Sequence, residues 1–307
     1  MIKNITLAYF SGTGCTKAVC DCFEHKLQEQ GIQVTKINIS EENFPIYCKM
    51  DILIVFFPVY ALRMPDIVEK WMKNLPEVNN KSAVIISVSG GGEISPNTAC
   101  REKCKHLLKK KGYYVTYEKM LVMPSNFAIQ ADKELNLALV RIMPERVSQI
   151  IQDVLAGNEN ITHPKLLDMI LAAFSIAEHI GAKFFGAFIH ATENCSGCAL
   201  CVSQCPKKNI RMKDGKPKFG FRCSWCMKCI YACPCKALSP KVLKFTVLKG
   251  GFDLKKMCRE AEKNSNTKYK FDRNILWQGA IDYVQDSTYV KGSASGQRSQ
   301  MGAKNEL

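Results

Sequence analysis

The chain has no apolar stretch long enough to cross a bilayer. A spanning helix needs about 18 or more residues with few charges. The most hydrophobic stretch, Leu166 to Ile189, is interrupted by Asp168, Glu178, His179 and Lys183, and its longest run free of charge or histidine, Met169 to Ala177, is nine residues. Burial of this stretch against the neighbouring domains is therefore expected, with contact at a membrane surface as the alternative. The opening MIKNITLAYF is equally short of consecutive apolar residues before Ser11 and Gly12, too short for the core of a secretory signal. Export and a disulfide framework are not expected; a reducing cytoplasm is. Histidine is scarce too. His25, His106, His163, His179 and His190 are remote in sequence from one another and from every motif, and no Ser/His/Asp, Cys/His or paired-carboxylate set can be assembled. Acid–base and nucleophilic catalysis thus have no candidate residues.

Acidic side chains are also few, 28 against 43 basic ones, for a net charge of +15. The imbalance is local: residues 1–190 carry 21 basic and 19 acidic side chains, whereas residues 191–307 carry 22 and 9. Two modules with different surfaces follow, the second suited to a negatively charged partner. At 307 residues and 47% hydrophobic, the chain can bury one large core or two ordinary ones. Cysteine, by contrast, is plentiful. Sixteen occur, more than half of them between Cys195 and Cys235. That is too few for a small disulfide scaffold and too many for an ordinary cytosolic enzyme, so the excess needs a local explanation.

The first half alternates between strand and helix patterns. Ile5 to Phe10, Gln33 to Ile39, Asp51 to Val59, Ala83 to Val88 and Tyr113 to Val122 read as strands, the third a nearly continuous apolar run suited to a central parallel strand. Cys15 to Gln30, Asp66 to Leu75, Pro96 to Lys111 and Asp132 to Ala156 read as helices. This is the pattern of an α/β doubly wound domain with a five-stranded parallel sheet. Ligands in such sheets bind beyond the carboxyl ends of the strands, which directs attention to the loops there.

The loop after the first strand is Ser11-Gly12-Thr13-Gly14-Cys15-Thr16, leading straight into a helix. Backbone amides, the helix N-terminus and three hydroxyls suit a phosphate, although a strand-to-helix turn with a capping hydroxyl has the same local pattern. It fits neither GxxxxGK[ST] nor GxGxxG, which excludes those two nucleotide loops. It resembles the phosphate loop of the flavodoxin family, [ST]-x-T-G-x-T, which binds FMN without a basic side chain. That resemblance implies FMN here, held by Ser11, Gly12, Thr13, Gly14, Cys15 and Thr16. It also implies that Pro58, Val59 and Tyr60 in one loop and Ser89, Gly90, Gly91 and Gly92 in another flank the flavin ring. Tyr60 is expected to stack on the ring, and the glycines to form a flexible loop whose peptide reorients on reduction. Met123 to Phe127 is a further candidate for the pocket rim.

The second half contains Cys195-x2-Cys198-x2-Cys201-x3-Cys205-Pro206 and, 28 residues on, Cys223-x2-Cys226-x2-Cys229-x3-Cys233-Pro234. Paired CxxC also serves zinc, but zinc does not require a third spaced cysteine and a fourth before proline, twice. The runs resemble bacterial ferredoxins with two 4Fe-4S clusters, in which the fourth cysteine of each run ligates the other cluster. The resemblance implies one cluster on Cys195, Cys198, Cys201 and Cys233, and a second on Cys223, Cys226, Cys229 and Cys205. Ile210 and Leu238, each five residues after a fourth cysteine, are expected to cover the clusters. The remaining cysteines, Cys235 and Cys15 included, read as ordinary reduced thiols.

Together the two halves resemble the flavodoxin-ferredoxin fusion proteins of anaerobic bacteria. The expected divisions are a flavodoxin-like domain at 1–157, an apolar connecting helix at 158–190, a small α+β ferredoxin-like domain at 191–240, an extension at 241–286 and a disordered tail at 287–307. The implied function is an electron-transfer iron-sulfur flavoprotein, a carrier more than a substrate-specific oxidoreductase. A flavin enzyme reducing a small acceptor such as a quinone is the alternative. A nucleic-acid role is not expected, because Lys207, Lys208, Arg211, Lys213, Lys216, Lys218 and Arg222 lack interleaved aromatics. This basic segment is better matched to a redox protein with an acidic surface.

Overall fold

In the computed structural model, which describes residues 2–41, 50–174, 176–241, 243–263, 271 and 274–286, the strands β1 (Asn4–Tyr9), β2 (Gln33–Asn38), β3 (Ile52–Pro58), β4 (Lys81–Ser89) and β5 (Tyr113–Val122) form one sheet in the order β2-β1-β3-β4-β5. Every pairing is parallel. β3 is central and buried at all positions but Pro58, because its alternate side chains feed two cores. Ile52, Ile54 and Phe56 face one, and Leu53, Val55 and Phe57 face the other. The linking helices are α1 (Cys15–Glu29), α2 (Asp66–Lys73), α3 (Glu102–Lys110) and α4 (Lys133–Ala156). α1 and α4 cover the first face through Val19, Phe23, Leu139 and Val147; α2 and α3 cover the second through Val68, Met72 and Leu108. This strand order is that of the flavodoxin-like doubly wound fold, and its switch point lies between β1 and β3.

The chain continues through α5 (Leu166–Phe174) and α6 (Ile176–Phe188). Here the structure corrects the sequence reading. The stretch is two helices, and on α5 the apolar side chains stand in solvent, Leu166 at 72% and Phe174 at 74% exposure, while the carboxylate of Asp168 is buried. Ser95 and Thr98 hydroxyls donate to that carboxylate and hold its pKa below the usual range. An apolar sequence does not encode its partner. The one charged group found hydroxyl donors on the sheet domain, and that bond set which side of α5 faces inward.

The cysteine-rich segment holds β6 (Ile189–Ala191), α7 (Leu200–Ser203), β7 (Ile210–Lys213), β8 (Lys216–Phe219), α8 (Lys228–Tyr231) and β9 (Leu238–Pro240). β6 pairs with β9 and β7 with β8, both antiparallel. The repeat in sequence is a repeat in backbone. α7 and α8 have the same offset as the two cysteine runs, and each follows a residue at positive φ, Ala199 at 56° and Met227 at 58°. Lys208 and Lys236 both sit at φ 47°.

After a 3-10 turn at Lys244–Thr246, α9 (Leu254–Lys263) and α10 (Gln278–Gln285) return to the sheet domain, where Ala261, Ala280, Ile281 and Tyr283 join the core beneath α4. The expected tail at 287–307 and the Cys48 thiol lie outside the described residues. α10 makes a backbone-to-backbone approach: a Cβ on Gly279 would stand 2.5 Å from the Gly91 carbonyl oxygen, and one on Gly92 would stand 2.7 Å from Gly279. Gly92 also has a φ of +89°. Gly279→Ala should therefore push α10 off the loop and lower stability by about 2 kcal/mol, the usual scale of overpacking. Thermal unfolding measures this, and an unchanged midpoint would contradict the close approach.

Candidate functional site

The carboxyl ends of β1, β3, β4 and β5 surround a cavity of ≈ 480 Å³. This lies within the range of about 300–1,000 Å³ typical of small-molecule sites. Its floor is Ser11, Gly12, Thr13, Cys15 and Thr16; its sides are Pro58, Val59, Tyr60 and Ala61, then Ser89 and Gly90, then Met123 to Phe127. Glycine frees the turn into α1, since Gly14, at φ 108°, precedes the helix and its N–H donates to the Ser11 hydroxyl at 3.2 Å. No side chain caps α1, and its first turn carries no acidic residue. Unpaired amides at a helix start favour an anion, so this end of the cavity suits a phosphate. Asn126 steadies the loop by donating its side-chain amide to the Thr13 hydroxyl.

The Tyr60 ring meets Phe10 edge-on, with centroids 6.3 Å apart. It belongs to a tight turn in which Tyr60 and Arg63 exchange two backbone hydrogen bonds of 3.0 Å. Ala61 and Leu62 make that turn at φ 50° and 60°, a conformation that favours glycine and costs roughly 1–3 kcal/mol per residue. Burial, then the Cys226, Cys15 and Cys223 sulfurs, push the phenol pKa well above its ordinary value. Burial also pushes the Cys15 thiol up to about 12.

The glycine loop differs from expectation. Gly90 lines the cavity, but Gly91 and Gly92 lie against Gly279, and Gly14 is likewise absent from the wall. The loop is also tied down. Asn97 donates its side-chain amide to the Gly92 carbonyl at 3.1 Å, Gly91 N–H donates to the Ser89 hydroxyl at 3.2 Å, and Glu93 is paired with the fully buried Arg101. These glycines provide close approach for α10, not a freely reorienting peptide.

The remaining wall comes from the second half of the chain. Ser224 and Trp225 of the cysteine-rich segment close the cavity with Ala182 of α6 and with Phe245 and Thr246 of the 3-10 turn. Gly12 is where the segments meet: a Cβ there would stand 2.4 Å from both the Cys226 carbonyl oxygen and the Tyr60 hydroxyl. Polar bonds fix the same contact. Asp66, at the start of α2, accepts from the Ser224 hydroxyl and the Lys207 ammonium, each at 2.6 Å. The Tyr231 hydroxyl donates to the Asn126 carbonyl at 2.9 Å and accepts from Leu248 N–H at 3.0 Å.

Trp225 is the residue the motif reading missed. It occupies the place in the second run that Gly197 has in the first; both adopt positive φ, 57° and 72°. A bulky residue at such a φ is a genuine outlier. The ring tilts on Phe185 at 5.1 Å and meets Phe127 edge-on at 5.1 Å. Among the described residues its buried indole N–H has no hydrogen-bond partner. Aligning the two runs would have exposed the signal, an aromatic where the repeat has glycine.

The cysteines gather around two spaces. Cys195, Cys198, Cys201 and Cys233 line one, with Met212, Pro217, Leu238 and Cys235. Cys205, Cys223, Cys226 and Cys229 line the other, with Phe185, Ile210 and Met227. Cys235, read from sequence as an ordinary thiol, thus stands at the first space, 3.6 Å from the Ser196 hydroxyl. The backbone N–H groups of Asn209, Trp225 and Ala237 donate to the sulfurs of Cys205, Cys223 and Cys233 at 3.3 Å each. Burial pushes Cys223 up to about 12 and Cys226 up to about 11, whereas the Leu200 amide and the Ser196 hydroxyl lower the exposed Cys198. Sulfurs buried this way become thiolates only beside a cation, which a bound metal supplies. Among the described residues no group of three or more His, Cys, Asp or Glu side chains is arranged to hold a metal ion.

No family model matches the chain, and no curated protein sequence does. Among solved structures, it is similar to a flavodoxin from Fusobacterium nucleatum bound to flavin mononucleotide, at 16% identity over 52% of this chain and 100% of that one, with a TM-score of 0.38. A flavodoxin from Streptococcus pneumonia TIGR4 shares 17% identity over 50% of this chain and 98% of its own, with a TM-score of 0.37. A flavodoxin from the domain Archaea shares 13% over 56% and 99%, with a TM-score of 0.35. The fold follows from the strand order itself.

The Gly12 contact is directly testable. Gly12→Val should lift the Cys226 backbone from the loop, at the cost of about 1–3 kcal/mol that overpacking carries. Amide exchange across residues 223–229 should then accelerate about tenfold or more. Unchanged exchange would mean that the two segments do not press together there.

Proposed function

We propose that the chain is an electron-transfer iron-sulfur flavoprotein, with FMN in the cavity and a 4Fe-4S cluster at each cysteine set. The observation that carries this reading is the shared wall: Ser224 and Trp225, between the ligand candidates Cys223 and Cys226, line the cavity above the phosphate loop. When bound, such clusters pass single electrons and FMN accepts one or two, so adjacent sites can convert between the two kinds of traffic. The residues support this in three ways. The uncapped start of α1, with Thr13 and Thr16, is suited to hold the phosphate. Trp225, Phe127 and Tyr60 exclude water from the cavity and offer flat apolar faces to a ring system. The three N–H···S bonds orient the thiolates and stabilise their charge.

Protein purified without oxygen should release about eight irons, a matching amount of sulfide and one FMN per chain. Clusters without flavin, after FMN has been added back, would overturn the relay. Trp225→Leu should retain its iron and bind FMN about tenfold more weakly, equivalent to about 1.4 kcal/mol, by fluorescence titration. In air, iron should leave in two phases, the first-set half sooner, because Cys198 is exposed and Cys226 buried.

A further inference from the structure

The β7–β8 ribbon covers the first cysteine set with its inner side chains, Met212 and Pro217, which line that space. These two are cross-strand partners, so the flanking pairs point outward. The outward pairs are Arg211 opposite Lys218 and Lys213 opposite Lys216. All four side chains are exposed. Like charges placed directly opposite one another destabilise a ribbon, and here it happens twice in succession on one face. Other cations of the same segment are used differently: Lys207 is paired with Asp66, and the Arg222 guanidinium donates to the Lys208 carbonyl at 2.7 Å. The repulsion is therefore concentrated on the four residues above the first set.

We propose that this four-cation face is the docking site for a small acidic one-electron carrier protein, and that electrons enter or leave the chain at the first cysteine set. The second set is turned toward the cavity, so the first is the one facing outward, at Cys198. A four-residue ribbon offers a small contact, in keeping with transient redox encounters, whose interfaces fall at the low end of the size range. Its charge steers approach and orients the partner. Nucleic acid fits less well, since no aromatic side chain lies on the outer face of the ribbon. In each encounter one electron leaves the carrier and one is gained at the first set, or the reverse; no bond or proton moves. The direction of traffic rests on the function proposed above, whereas the docking face rests on the ribbon alone.

The test uses Lys213→Glu/Lys218→Glu, which turns both like-charge pairs into opposite-charge pairs. The fully loaded protein, reduced with dithionite, is mixed at low ionic strength with hexacyanoferrate(III), a small anionic one-electron oxidant, or with hexaammineruthenium(III), its cationic counterpart. The anionic reagent should oxidise the variant at least tenfold more slowly than the parent, and the cationic reagent should oxidise it faster. A labelled oligoglutamate peptide should bind the variant at least tenfold more weakly by fluorescence anisotropy. The thermal midpoint should rise, which a merely structural role for the lysines would not produce. Unchanged rates and peptide binding would overturn the docking face. So would a duplex oligonucleotide that binds the parent more tightly than the peptide does and loses that binding in the variant. Iron and FMN contents fail separately: a chain lacking FMN with charge-dependent peptide binding refutes the relay and leaves the docking face standing.

Discussion

The architecture depends on one close approach, the backbone of Cys226 resting on Gly12. A side chain at Gly12 would occupy the position of the Cys226 carbonyl, so the floor of the cavity and the second cysteine set can be neighbours only because residue 12 is glycine. Around that point the contact is polar and directional. Asp66 receives Ser224 and Lys207, Asn126 is held by Thr13 on one side and Tyr231 on the other, and Trp225 is wedged between Phe127 and Phe185. A flexible tether between two modules would leave their separation to chance. Here the separation is fixed by side chains whose bonds cross from one module to the other.

Strain is concentrated at the same wall. Ala61, Leu62 and Trp225 all hold positive φ without being glycine, and the cavity is lined by Ala61 and Trp225 together. Such conformations persist only where the surroundings over-determine them. For Trp225 the surroundings are two aromatic contacts and the flanking cysteines. The first run solves the same backbone problem with Gly197, at no steric cost. The two halves of the repeat therefore differ where their neighbours differ: Gly197 stands beside the first set, near solvent, whereas Trp225 must fill the space between the second set and the cavity.

The legible parts of the chain are those governed by local periodicity. β1 to β5 and α1, α2 and α4 follow from apolar spacing to within a few residues, because a sheet buried on both faces leaves little freedom in that pattern, whereas α3 starts six residues later than its pattern suggests, after a 3-10 turn at Asn97–Arg101. The loop from Ser11 to Thr16 and the two cysteine runs are legible because short spacings constrain geometry directly. Contacts between distant segments are not. Nothing around Gly91 and Gly92 announces that Gly279, nearly two hundred residues later, will press on them, so a glycine run that reads as flexible is clamped. Likewise α5 reads as a buried helix by composition, yet the hydroxyls of Ser95 and Thr98 capture Asp168 and leave Leu166 and Phe174 outside. In both cases a specific long-range contact overrode a correct local propensity.

The charge of +15 also changes meaning once it is placed in space. As a total it suggests any anion. In the fold it divides into cations already committed, such as Lys207 on Asp66 and Lys105 beside the buried Glu118, and cations set against one another on β7 and β8. Committed charges stabilise the fold and attract nothing, because their fields are locally cancelled. Opposed like charges do the reverse: each raises the potential at its neighbour, and the sum projects into solvent over the first cysteine set, beyond a Debye length only weakly but strongly within it. With the proposed cluster bound, thiolates below that ribbon would offset the field of the four cations from one side. An acidic partner would lower it from the other. In the proposed docking, the repulsion built into the ribbon would be the source of selectivity, since a surface of opposite sign relieves it.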